Sequence, residues 1–118
     1  MSSADRYQEL TTRINRHLAP FRTAAPEVMQ GFGAMAGGAM AAGALDEKTK
    51  ELIAMAIGVA SRCDGCLGFH AKALVRLGAT PEEFHDMLGV AVYMGGGPSL
   101  MYAAHALEAF EEFSARTA

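Results

Sequence analysis

The chain has 118 residues, 51% of them apolar, with ten basic and thirteen acidic residues for a formal net charge of -3. That length suits a single domain over residues 1–118, but the apolar fraction is more than one small core readily buries, so part of it is expected between subunits. There is no basic run, no run of large aliphatic residues long enough to span a bilayer and no charged leader before an apolar stretch, so the expectation is a cytoplasmic chain without signal peptide, nucleic-acid partner or membrane partner.

Hydrophobic periodicity predicts an all-α fold of about six helices and no strand. The first runs from about Ala4 to Ala19, with Tyr7, Leu10, Ile14, Leu18 and Phe21 at helical spacing and Pro20 expected to stop it. The second opens at Pro26, a favoured first-turn residue, and reaches about Ala42. Its Gly31, Gly33, Gly37 and Gly38 each weaken it. They also admit a close neighbour, and Met29, Phe32, Met35 and Met40 could fill an interface.

The third helix starts after the N-cap candidate Asp46 and ends near Ala60. From Leu52 onward it is apolar on every side, which predicts burial all round. The fourth holds Cys66 to Leu77 and stops at Gly78. Thr80, Pro81 and Glu83 predict a capping box at the start of the fifth, which ends in the glycines at 95–97. Pro98 opens the sixth, with Leu100, Ala103, Leu107 and Phe110 expected inward and Glu108, Glu111 and Glu112 outward.

The chain's two cysteines stand in "RCDGCLGFHAKAL", Arg62 to Leu74, as Cys63-x-x-Cys66-x-x-x-His70. On one helix, Cys66 and His70 share a face, and His70 leans back over the thiol because helical side chains tilt toward the N-terminus. An imidazole there takes the thiol proton or stabilises the thiolate, the reactive form. Cys63 lies one turn earlier at the expected helix start, where the partial positive charge of the helix end favours thiolate. Arg62 adds to that effect and Asp64 opposes it. The pair can run a cycle in which Cys66 attacks an electrophile, Cys63 closes a disulfide and an external dithiol reopens it.

Metal is the rival reading. Zinc wants four ligands, or three and a water, and Cys63, Cys66 and His70 supply three. His17, His85 and His105 all read as ordinary surface residues, His105 sharing an outward stripe with Met101, Glu108 and Glu112. From the pattern alone redox leads, metal follows and an inert structural pair is third.

The stretch "KELIAMAIGVASRCDGCLGFHAKALVRLGATPEE", Lys50 to Glu83, resembles the core of the carboxymuconolactone decarboxylase/AhpD-like family: a glutamate, a buried helix, then Cys-x-x-Cys-x-x-x-His. The resemblance implies an all-helical fold and obligate oligomers, a hexamer ahead of a trimer. It implies an antioxidant, alkylhydroperoxidase-type thiol activity on a small hydroperoxide or disulfide, with no bound cofactor and an external dihydrolipoyl-type or thioredoxin-like dithiol as reductant. In that scheme Cys66 is the attacking thiol, Cys63 the resolving thiol, and His70 and Glu51 the proton relay. Without the family, Glu51 in "DEKTKE" reads as a solvated first-turn charge. Were the third helix unbroken to Cys63, Glu51 would lie about 120° away, so a bend near Ser61–Arg62 is expected. The best-studied peroxidase branch has a histidine just before the second cysteine, where this chain has Gly65. The second class of reading is a non-enzymatic oligomeric module that senses redox state or holds metal.

Overall fold

A computed structural model describes residues 5–117. They form six helices: α1 (Arg6–Ala24), α2 (Pro26–Met40), α3 (Glu47–Ala60), α4 (Asp64–Arg76), α5 (Pro81–Gly95) and α6 (Gly97–Thr117). Among the described residues there is no strand. Ala4, the expected start of the first helix, lies outside them.

Pro20 does not end the first helix. α1 runs through it to Ala24, since an exposed proline in a helix removes one hydrogen bond without forbidding the next turn. The stop is Pro26: a residue before proline is kept out of the helical region, and Ala25 sits at φ -131°, ψ 62°.

The start of α1 is secured from afar. Asp5 makes no side-chain capping bond there. Instead the Glu112 carboxylate on α6 accepts from the Tyr7 and Gln8 backbone N–H groups at 3.0 and 2.7 Å. Glu112, expected outside, is therefore buried. Four orphan N–H groups at a helix start need acceptors, and a tertiary carboxylate meets that need as well as a local cap.

The expected local caps do form. The Asp46 side chain accepts from Thr49 N–H at 2.7 Å. Thr80 and Glu83 make the reciprocal capping box at 3.1 and 2.9 Å.

The core is built where α4 packs against α3 and α6, with α5 closing it and α1 lying across α4 and α6. Met55, Val59, Leu67 and Leu74 are fully buried there. Phe84 of α5 stacks on Phe110 of α6, with centroids 4.3 Å apart.

Two expected inward faces are open. Ile57 on α3 is 60% exposed and Leu100 on α6 is 52% exposed, so α3 is not covered all round by its own chain. α2 has no buried residue at all. The radius of gyration, 14.6 Å, exceeds the roughly 13.5 Å of a compact chain this long, which fits a helix standing away from the core.

Candidate active site at the start of α4

The bend expected near Ser61–Arg62 is a Schellman closure. Cys63 N–H bonds to Gly58 O at 3.0 Å and Arg62 N–H to Val59 O at 3.2 Å, the two bonds that end a helix and reverse the chain. The residue that must turn left-handed is Arg62, at φ 56°. That is costly for a residue with a Cβ, about 1–2 kcal/mol. α4 ends in the same motif with Gly78 at φ 77°, where glycine meets the requirement freely. The non-glycine version sits directly before the cysteines.

The closure makes α3 and α4 an antiparallel hairpin, and each step down α3 is met by a step back along α4. Gly58 faces Cys66, and a Cβ on it would lie 3.3 Å from the Cys66 Cβ, so its bareness lets the cysteine seat against α3. Further down, Glu51 Oε1 lies 2.6 Å from His70 Nδ1. At the open end Arg76 pairs with Glu47 at 3.1 Å. Glu51 is thus a buried carboxylate, 7% exposed, carried inside by α3 and met there by an imidazole.

Cys63 is the N-cap of α4, and its sulfur accepts from Cys66 N–H at 3.2 Å. Cys63 and Cys66 are disulfide-bonded, with Cα atoms 5.2 Å apart, inside the usual range for such a bond. Both are partly buried. The four residues singled out in the sequence, Glu51, Cys63, Cys66 and His70, therefore lie along one helix–helix hairpin.

Gly65 faces α1. A Cβ there would fall 2.8 Å from Ile14 Cδ1 on α1. The position that carries histidine in the best-studied branch is here roofed by α1.

Three further residues meet at this helix start. Asp64 Oδ1 accepts from the Tyr7 hydroxyl at 2.8 Å and lies 3.1 Å from His105 Nδ1. Tyr7 is fully buried. Burial first, and then its hydrogen bond to the Asp64 carboxylate, hold the Tyr7 phenol well above its ordinary pKa. Sequence reasoning took His105 for a surface residue. Nothing in its own neighbourhood signals otherwise, and the usable hint was the acidic residue lodged inside the Cys-x-x-Cys. His17 and His85 are exposed, as expected.

A cavity of about 490 Å³ opens between α1, α4 and α6, lined among others by Phe69, Lys72, Arg76, Phe113 and Arg116. None of the four hairpin residues lines it. Among the described residues no group of three or more His, Cys, Asp or Glu is placed to hold a metal ion, and no helix is long and apolar enough to cross a membrane.

Fold and site together define a class: a helical protein with a Cys-x-x-Cys disulfide at a helix start and a buried carboxylate paired to an imidazole on the same hairpin. The carboxymuconolactone decarboxylase family model matches residues 26–109, and the chain belongs to that family, with an AhpD-like fold. A family member from Legionella pneumophila, solved in its apo form, is 61% identical, with a TM-score of 0.91 over 93% of this chain and 98% of that one. A second, from Thermotoga maritima, for which involvement in an antioxidative response has been suggested, is 26% identical with a TM-score of 0.81 over 91% of this chain and 92% of that one. An uncharacterized protein of Cupriavidus necator is 38% identical over 104 residues, 88% of this chain and 92% of its own length.

Proposed function

We propose that the protein is an alkylhydroperoxidase-like thiol oxidoreductase that reduces a small hydroperoxide or disulfide through Cys63 and Cys66. The observation that carries this reading is the Cys63–Cys66 bridge at the start of α4 with the Glu51–His70 contact of 2.6 Å on the same hairpin. The suggested antioxidative role of the Thermotoga relative agrees with it.

The cycle balances as follows. The Cys66 thiolate attacks the peroxide's terminal oxygen, the O–O bond breaks, and the leaving alkoxide takes a proton to become an alcohol. Cys66 is then a sulfenic acid. Cys63 attacks its sulfur, the S–O bond breaks, and hydroxide leaves as water with the proton shed by Cys63. A dihydrolipoyl-type or thioredoxin-like dithiol from outside is oxidised to its own disulfide as the bridge is reduced.

His70 handles the first proton. With the Nδ1 proton donated to the Glu51 carboxylate, Nε2 carries the lone pair that accepts the thiol proton. Glu51 holds that tautomer and stabilises the imidazolium.

Intact mass tests the reading. Reduced protein treated with one equivalent of hydroperoxide should lose about two hydrogens and regain them with dithiothreitol. Consumption of hydroperoxide with a dithiol donor should accompany the change. A sulfenic acid that persists with no disulfide, or that passes to sulfinic acid when excess hydroperoxide is added, would remove Cys63 from the resolving role. Stoichiometric metal in freshly purified protein would favour the metal-holding alternative.

A further inference from the structure

Asp64 is the first residue of α4 and the immediate neighbour of Cys63. Its carboxylate turns toward α1 and α6, where the buried Tyr7 hydroxyl donates at 2.8 Å and His105 Nδ1 lies at 3.1 Å. Asp64 and His105 side chains are both about one-third exposed, at 35% and 34%. The His105 ring is braced by Tyr102, with centroids 4.8 Å apart. The other charges acting on the Tyr7 hydroxyl beside this group are Arg6 of α1 and Glu108 of α6, paired to each other at 3.0 Å. An imidazole is the side chain in this set whose charge can change near neutral pH.

We propose that His105 is a positioning residue for Cys63, setting through Asp64 the charge beside the resolving thiol. The role named for Cys63 rests on the thiol cycle above; the effect on its reactivity does not.

A carboxylate next to a thiol disfavours thiolate, because like charges repel. Asp64 would impose that penalty at the spot where the start of α4, and the Cys66 N–H that reaches the Cys63 sulfur at 3.2 Å, favour thiolate. The Tyr7 hydroxyl draws off part of the carboxylate's charge, and His105, when it carries a proton, offsets more of it. Each cysteine then has its own carboxylate–imidazole pair. Glu51–His70 serves Cys66 across the α3–α4 hairpin, and Asp64–His105 serves Cys63 across α4–α6. In the resolving step Cys63 must be a thiolate when it attacks the Cys66 sulfenic sulfur, so the second pair governs the rate of disulfide closure.

The test uses reduced full-length protein carrying Cys66→Ser, so that Cys63 is the remaining thiol, and follows iodoacetamide alkylation against pH. His105→Asn keeps a donor toward Asp64 but cannot become charged. It should raise the apparent pKa of Cys63 and leave about threefold less thiolate near neutrality. Asp64→Asn should shift the profile the opposite way, and adding His105→Asn to it should change nothing further. Opposite signs separate this role from a structural one, since loosened packing would expose Cys63 in both variants and move both the same way. His105→Gln repeats the measurement should the asparagine variant fold poorly. Shifts of the same sign, or an unmoved profile in variants with wild-type circular dichroism, would overturn the proposal. Failure of the thiol cycle itself shows separately, as wild-type protein that forms no disulfide with peroxide.

Discussion

Glu51 Oε1 and His70 Nδ1 lie 2.6 Å apart, although the two residues are nineteen positions apart along the chain. Glu51 has left water for this contact, being 7% exposed, and a buried carboxylate persists only where a partner holds it.

That pairing fixes the sign of a first prediction. If Glu51 stabilises the His70 imidazolium, which in turn stabilises the Cys66 thiolate, Glu51→Gln should raise the apparent pKa of Cys66 and slow its alkylation near neutral pH. A carboxylate acting directly on the thiol would do the reverse, because like charge disfavours thiolate. The pH profile of Cys66 alkylation in reduced protein decides, with His70→Ala as the second arm. His70→Ala should slow Cys66 more than Cys63, and Glu51→Gln should add nothing to it. A profile unmoved by Glu51→Gln, with the fold intact, would strike Glu51 from the site.

The helices, their caps at Asp46 and Thr80, and the cysteine–histidine motif were legible because each is a local signal. Glu51 was not legible from spacing. Its position depends on a left-handed turn at Arg62, a residue type that does not advertise one, and the family resemblance supplied what local reasoning lacked. Glu112 and His105 were misplaced for a related reason. Their partners, the start of α1 and Asp64, lie on other helices, so a charged stripe on α6 looked like a solvated face.

Glu112 gives the second prediction. It accepts from two backbone N–H groups at the start of α1, and Asp5 offers no side-chain bond in its place. Glu112→Ala should destabilise the protein by about 1–3 kcal/mol, or roughly 4–8 °C of Tm per kcal/mol if the unfolding unit is one small subunit. Glu112→Gln retains an acceptor and should recover part of the loss. Thermal unfolding by circular dichroism measures both. An unchanged Tm in Glu112→Ala would mean that water satisfies those N–H groups equally well.

Tyr7 gives the third. Its phenol pKa is raised, first by burial and then by its bond to Asp64. The stability this contributes is fully present below the ordinary phenol range near pH 10. It is lost as pH climbs from there toward the folded-state value, because the unfolded chain gives up its proton first. In a spectrophotometric titration of the three tyrosines, Tyr7 should ionise last, together with alkaline unfolding. Tyr7→Phe should abolish that late step and flatten the alkaline fall in stability. A late step that survives in Tyr7→Phe would assign it to Tyr93 or Tyr102.

The last prediction is assembly, and it follows from what the single chain leaves open. α2 has no buried residue, yet it carries Val28, Phe32 and Met35, each more than 60% exposed. A helix this short and glycine-rich does not hold its shape alone in water. On the core itself, Ile57 of α3, Val90 and Met94 of α5 and Met101 of α6 are at least 60% exposed, and Tyr93 of α5 is 85% exposed. Monomers rarely leave so many large apolar side chains in water, and extended apolar faces mark contact surfaces. We therefore expect homo-oligomers, with a hexamer ahead of a trimer, in which α2 packs against another copy. Light scattering at micromolar concentration should read several subunit masses. Phe32→Asp with Met35→Asp should lower that mass and reduce helix content together, because the exposed apolar face of α2 would lose its cover. A wild-type monomer, or a double variant that dissociates while keeping full helicity, would show that α2 is stable without a partner.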